Sequence, residues 1–236
     1  MYFKDFPTIV YKFGKEVDYS AFHNLSAYTD IVDAVSDNIA FYQPYNIFDK
    51  RPDQVSYELY NTANFHWTFY FLNDSIRRGG WPIDQSKLDT WIKDRYNGTV
   101  IVTRDSLDNV MKVGDTITGV SSTVTGTITR RNEDLGQIFI EGTKAFTNSE
   151  LIRDGDGNTV TVFSSSEEYN ATHNYTDGDG VHADIDPANG PGELLTNVTF
   201  YDYIVDENDK QRTIKVIKPE AISGVVSAFK EALRSN

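Results

Sequence analysis

The sequence contains no cysteine. That excludes disulfide staples, thiolate nucleophiles and Cys-ligated zinc or iron–sulfur centres, and it leaves the redox compartment unreadable. Basic charge is scarce as well: 22 Lys and Arg stand against 35 Asp and Glu, for a formal charge of −13. Nucleic-acid binding needs a clustered basic face that releases counterions, so no nucleic-acid partner is expected. Long apolar runs are missing too. The longest uncharged one, WTFYFL, falls far short of the roughly 20 residues a membrane helix needs, so no membrane partner is expected either. The first residues, MYFKDFPTIVYKFGKEVDYS, interrupt their apolar positions with Lys4, Asp5 and Pro7 and read as no signal peptide. The Asn-x-Ser/Thr triplets at Asn24, Asn73, Asn97, Asn170, Asn174 and Asn197 are then accidents of an Asn- and Thr-rich chain.

Catalytic signatures are equally sparse. There is no G-x-S-x-G elbow, no glycine loop to cradle a phosphate, and no pair of histidines spaced to share a helix face. His23, His66, His173 and His182 are scattered, and His66 reads as a core or boundary residue before a general base. No catalytic residue, cofactor or metal site is therefore assigned, and no enzyme activity is expected.

What the chain does have is aromatic residues: 14 Tyr, 14 Phe and 3 Trp among 236 residues, enough for a real apolar core. They concentrate in NFHWTFYFLND, Asn64 to Asp74. Phe65, Phe69 and Leu72 fall on one side of a helix and Trp67 and Phe71 on another, so a helix here is buried on two sides. A short buried strand is the alternative for such a run, with the helix favoured. Upstream, Phe3, Phe6, Ile9, Tyr11 and Phe13 form an extended arm or edge strand broken by Pro7. Leu25, Tyr28, Ile31, Val32 and Val35 have helical spacing. AFYQPYNIFD is strand-like, and Pro52 suits the first turn of a helix carrying Val55, Leu59 and Tyr60. After Gly79–Gly80, Leu88, Trp91, Ile92 and Tyr96 mark another helix.

From about residue 98 the texture changes to Val, Ile and Thr alternating by two, cut by Gly or Asn at short intervals, the pattern of a small all-β sandwich or barrel. In DGDGN, Asp154, Asp156 and Asn158 begin like a calcium loop, but Thr159 and Ser165 stand where the turn glycine and bidentate glutamate belong, so a hairpin turn is the better reading. The acidic run Asp177–Asp186 is the other loop with enough carboxylates for a loosely held cation. Residues 164–196 read as a long polar loop. TFYDYIV and RTIKVIK read as a hairpin around DENDKQ, followed by a helix with Ile222, Val225, Val226, Phe229 and Leu233 as its stripe.

Residues 41–83 resemble a LysM-type βααβ unit. More narrowly, Pro52-Asp53-Gln54-Val55, Tyr60, His66-Trp67, Asn73 and Trp81-Pro82, together with YDYIVDENDKQRTIKVIKPEAI and the arm YFKDFPTIVY, resemble a baseplate wedge subunit of T-even-type contractile-tailed phages. The likeness covers roughly half the chain; residues 111–163 look like an inserted barrel of the GDTITG…TGTI type. The resemblance implies an α+β fold: arm and helix at 1–40, LysM-like core at 41–103, inserted small β-barrel at 104–163, polar loop at 164–196, and hairpin plus helix returning to the core at 197–236. It also implies a structural virion protein, assembled in the host cytoplasm and present in multiple copies in a sixfold assembly. Its partners would be other baseplate wedge and hub-proximal tail proteins. Phe3, Phe6, Ile9, Tyr11, Phe13, Trp67 and Phe71 are the candidate interface residues. Two other functions stay open. A peptidoglycan-binding LysM protein would use groups after Asn73 such as Ser75 and Arg77, and a tail-associated glycan hydrolase would need a carboxylate pair that the sequence does not single out.

Overall fold

The computed structural model describes residues 8–13, 18–23 and 41–235. Phe3, Phe6 and the segment with Leu25 to Val35 lie outside them. In chain order the elements are β1 (Thr8–Phe13), β2 (Asp18–His23), β3 (Tyr42–Asn46), α1 (Pro52–Tyr60), α2 (Trp67–Leu72), α3 (Asp74–Gly79) and α4 (Gln85–Arg95). Strands β4 (Thr99–Val102), β5 (Thr116–Gly119), β6 (Thr125–Asn132), β7 (Gln137–Ile140), β8 (Leu151–Arg153), β9 (Thr159–Thr161) and β10 (Ser164–Glu167) follow. The chain ends with β11 (Thr172–Thr176), β12 (His182–Ala183), β13 (Thr196–Thr199), α5 (Phe200–Lys210), β14 (Thr213–Ile217) and α6 (Ile222–Ser235). The fold is thus mixed α+β. It divides into two compact units, residues 1–84 with 208–236, and residues 85–207.

The first unit is built from both ends of the chain. β1 and β2 form an antiparallel hairpin, with Ile9 opposite Phe22 and Tyr11 opposite Ser20. β3 pairs antiparallel with β14, Lys215 lying opposite Pro44. Pro44 has no N–H to give, so this must be a pair whose backbone groups face away from each other, and a proline is tolerated there. Between these strands run the helices. Pro52 opens α1, the Gln54 side chain accepts the Arg51 N–H at 2.9 Å, and Asn61 closes the helix in the left-handed region at φ 55°. Ile47, Val55, Phe69, Ile76, Ile214 and Val216 pack into one core, and Tyr42, Ile217, Ile222 and Val226 into a second.

The second unit centres on a seven-stranded sheet of order β10-β4-β7-β6-β5-β8-β9. Its two edge strands, β9 and β10, are separated in sequence only by Val162 and Phe163. The Val162 N–H donates to the Glu150 carbonyl at 2.8 Å and the Phe163 N–H to the Val102 carbonyl at 2.8 Å, so one stretch of chain passes from the β8 side to the β4 side. Alternate residues Ile117, Ile128, Ile138, Ile140, Ile152 and Val160 point into a common core with Ile101, Met111 and Val162. All four residues of β7 are buried, because its other face is covered too: Phe139 packs with Val100, Ala171 and Phe200.

Two expectations are corrected here. The stretch expected to form a hairpin around DENDKQ is instead the helix α5 followed by the single strand β14. Thr199 is the reason: its Oγ1 accepts the Asp202 N–H at 3.0 Å while the Asp202 carboxylate accepts the Thr199 N–H at 3.1 Å, a reciprocal cap that starts a helix. The polar stretch 164–196 is not one long loop. It contains β10 on the large sheet, and β11 and β12 of a three-stranded sheet ordered β12-β11-β13. DGDGN does make the expected turn, joining β8 to β9.

Candidate functional site

The aromatic helix α2 is the densest constellation in the first unit. A short 3-10 turn, Ala63–Phe65, leads into it, with the Ser56 hydroxyl accepting the Phe65 N–H at 3.2 Å and donating to the Thr62 carbonyl at 2.7 Å. Helix spacing then sends Phe69 one way, stacked on Tyr60 at 6.2 Å and near Trp81 at 5.9 Å. The other flank carries Trp67 and Phe71. Their centroids lie 5.2 and 4.9 Å from that of Phe229 on α6. Phe71 is 2% exposed. Trp67 and Phe71, the candidate interface residues of this helix, are covered instead by this chain's own α6. The reason is mutual: α6 also carries an apolar stripe, Ile222, Val226 and Phe229, that has to be removed from water.

Of the arm residues, Ile9, Tyr11 and Phe13 lie on β1, with Ile9 opposite Phe22 in the register of the hairpin. Val10, between Ile9 and Tyr11 on the same strand, is exposed. Phe3 and Phe6 lie outside the described residues.

An exposed aromatic pair escaped the sequence reading. Phe48, 66% exposed, sits in the β3–α1 loop, and Tyr57, 64% exposed, on α1. Phe48 and Asp49 both adopt positive φ, 50° and 59°, an uncommon conformation for residues with a Cβ. The loop is held there: the Asn46 side chain accepts the Phe48 N–H at 3.0 Å, and Arg212 pairs with Asp49 at 2.8 Å. Beside it lies an open cleft of about 580 Å³ lined by Lys50, Asp53, Gln54, Tyr57, Glu58 and Ala63. Lys50 and Glu58 are ion-paired across it, a contact that holds the Lys50 ammonium above and the Glu58 carboxyl below their ordinary values. A turn of two left-handed residues has no marker in FDK, so only the neighbouring Asn46 hinted at it.

A second cleft, of about 510 Å³, lies in the second unit. Arg130 lies over Phe139 at 3.8 Å and pairs with Glu168 at 3.2 Å, while His173 stacks on Tyr203 at 3.9 Å. Its neighbour Arg131 is committed to structure, donating to the carbonyls of Leu107, Val110 and Met111 and pairing with Glu133.

Among the described side chains, His66 and His182 do not converge. His66 is exposed, its Nδ1 lying 2.8 Å from the Ala63 carbonyl, and His182 pairs with Asp184 at 3.2 Å. In the acidic run, Asp177 accepts the N–H groups of Asp179 and Val181, and Asp186 accepts that of Ala188. These carboxylates stabilise their own turns, and among the described residues no three His, Asp or Glu side chains gather as a cation site. Nor, among them, is any helix long and apolar enough to cross a membrane. Neither a protein-family model nor a curated protein matches the chain at a significant level.

Proposed function

We propose that this chain is a structural wedge component of a contractile phage-tail baseplate, binding the wedge core and helping to join wedges into a ring around the hub. The observation that carries the reading is the path of the first unit: strand β3, the aromatic helices α1 and α2, the short helix α3, and then, after a long excursion, the strand β14 that pairs antiparallel with β3. That order is compatible with a LysM-like βααβ core interrupted by an inserted domain, and a seven-stranded sheet whose two edge strands follow one another in the chain is compatible with an inserted small barrel. The resemblance of Pro52–Val55, Tyr60, His66-Trp67, Asn73 and Trp81-Pro82 to the wedge family supplies the biological setting. Binding would rest on surface complementarity rather than chemistry, with the N-terminal hairpin and the outer face of α6 as the docking elements.

The test is co-purification of the full chain, and of a variant lacking residues 1–23, with the wedge proteins encoded beside it. The full chain is expected in the complex and the deletant is expected to be folded but absent. A deletant that assembles normally overturns the docking role, and failure of the full chain to assemble overturns the function. A second reading, peptidoglycan binding, draws on the exposed Phe48 and Tyr57 beside an open cleft; sugars stack on such rings. Pull-down on purified cell wall, lost in a Phe48→Ala/Tyr57→Ala double variant, would favour it. Arg77, earlier a candidate for that role, is already paired with Asp74.

A further inference from the structure

Strand β8 is three residues long, and its seam with β5 is the shortest in the seven-stranded sheet: only Thr118 opposite Arg153 and Gly119 opposite Ile152. The Val120 N–H adds one bond to the Leu151 carbonyl at 2.8 Å. Immediately before β8 stands Glu150 and immediately after it Asp154, 5% and 6% exposed respectively. Both side chains cross the seam. The Glu150 carboxylate accepts the N–H groups of Ser121 at 3.3 Å, Ser122 at 3.0 Å and Thr147 at 2.5 Å, and the Ser121 hydroxyl at 3.1 Å. Gly119 leaves room for it, since a Cβ there would come within 2.6 Å of Glu150 Oε2. Asp154 accepts the Met111 N–H at 3.4 Å, and on its own turn those of Asp156 at 3.0 Å and Asn158 at 2.8 Å, plus the Asn158 amide at 2.9 Å. Met111, fully buried, is held there at φ 50°, a strained conformation for so large a side chain.

Every donor on these two carboxylates is neutral. Among the described residues no Lys, Arg or His forms an ion pair with either. The charged groups on the segments packed against β8 are occupied elsewhere or turned to water: Arg131 on the 107–111 carbonyls and Glu133, Asp105 on the Thr161 N–H, Asp115 on the Lys112 N–H, while Arg153 and Asp156 are exposed. A carboxylate held only by N–H and O–H donors keeps all of its bonds in the ionised form alone. Protonation puts a hydrogen where an acceptor was needed, on both ends of the same short strand.

We propose that the β5–β8 seam is the place where this sheet opens, and that Glu150 and Asp154 are the paired latch that acid releases. Release frees the β8–β9 hairpin while β4, β6, β7 and β10 stay joined by their longer ladders. Burial alone would raise both carboxyl values, but the bonds to Ser122 and Thr147 on one and to Asn158 and Met111 on the other overcome it, and both are held below the ordinary range. A depressed folded value gives stability that is present above the open-state value, near pH 4, and lost as pH falls through the folded one.

Hydrogen exchange of the full chain from about pH 7 down to about pH 2, read against unprotected peptides at each pH, tests this. The Val120 and Arg153 amides, which face across the β5–β8 seam, are expected to lose protection before those of Ile101, Ile138 and Ile140. Below about pH 4 the loss should approach a hundredfold per pH unit if both protons enter, and tenfold if only one does. At neutral pH, Glu150→Gln and Asp154→Asn should each lower Val120 and Arg153 protection by about tenfold or more. Simultaneous loss across the whole sheet, or variants whose protection matches the parent, overturns the proposal. If one variant fails to fold, the other and the pH series of the parent decide it.

Discussion

The side-chain amide of Asn73 stands in for a missing strand beside Lys215. Its Oδ1 accepts the Lys215 N–H at 2.7 Å, and its Nδ2 donates to the Lys215 carbonyl at 2.8 Å and to the Phe69 carbonyl at 2.8 Å. Lys215 faces Pro44 across the sheet in a pair that exchanges no bond, so its own N–H and carbonyl point outward. Asn73 therefore satisfies the open edge of β14 and the end of α2 at once.

Replacing Asn73 by Ala removes three bonds and leaves their backbone partners to water. About 2 kcal/mol of destabilisation is expected, at roughly 1 kcal/mol per net bond with partial rehydration. Asn73→Asp should recover part of it, since a carboxylate still accepts the Lys215 N–H but donates to neither carbonyl. Urea midpoints of the three proteins check the order; an Asp variant no better than Ala defeats the edge-capping account.

Phe229→Ala should cost about 3 to 5 kcal/mol, the usual loss for a buried Phe. Trp67 and Phe71 would lose the ring between them and become wetter. A red-shifted Trp67 emission, with Trp81 and Trp91 changed to Phe to isolate it, is the expected signature. An unchanged spectrum would mean that α6 does not cover the flank.

Alkaline pH should weaken the first unit. Burial pushes the Tyr60 phenol well above its ordinary value, and its O–H also donates to the Ile217 carbonyl, a bond that only the neutral form makes; burial also raises Tyr42 and Tyr70. A folded value above the unfolded one gives stability that is complete below about pH 10 and is lost as pH rises towards the folded value. Tyr60→Phe is expected to cost about 1 kcal/mol at neutral pH through the lost bond to Ile217, and to flatten the alkaline loss. Urea midpoints between about pH 8 and pH 11 compare the two proteins.

Gly136→Ala should damage the β6–β7 turn severely. Gly136 has φ 61°, and a Cβ there would come within 2.3 Å of the Thr103 carbonyl oxygen. That oxygen belongs to backbone and has little room to move aside. The cost should exceed the roughly 1 kcal/mol of a left-handed alanine, with Gly142→Ala, at φ 69° in open space, as the control limited to that penalty. Equal melting temperatures for the two variants would contradict the clash.

Periodicity in the sequence located α1, α2, α4, α6 and the strands between 99 and 161, because each buries a stripe or alternates about a core. It separated Phe69 from Trp67 and Phe71, but Phe65 and Leu72, expected beside Phe69, pack with Trp67 against Ile217 and Ile222 instead. Nothing in NFHWTFYFLND says that Phe229, far along the chain, fills its outer side. The two failures have local causes. TFYDYIV is rich in strand-forming residues, and the Thr199–Asp202 cap outweighs that preference. The polar strands of 164–196 pair through backbone groups, with half-buried side chains that leave no apolar signal. Phe48 was invisible as an exposed residue because a left-handed turn without glycine writes nothing distinctive into the sequence.

The pairing of β3 with β14 also sets an order of events during synthesis. Tyr60 meets the Ile217 carbonyl across 157 residues and Asn73 meets Lys215 across 142. A ribosome releases residues 85–207 before β14 exists, so the second unit can fold while the first waits with Phe69 and Phe71 without their final neighbours. Once folded, that unit draws its own chain ends into one fixed body, and closing the ring no longer carries the entropy of a long flexible loop. Variants that slow the seven-stranded sheet should therefore lengthen the time during which the nascent aromatic helix invites a chaperone.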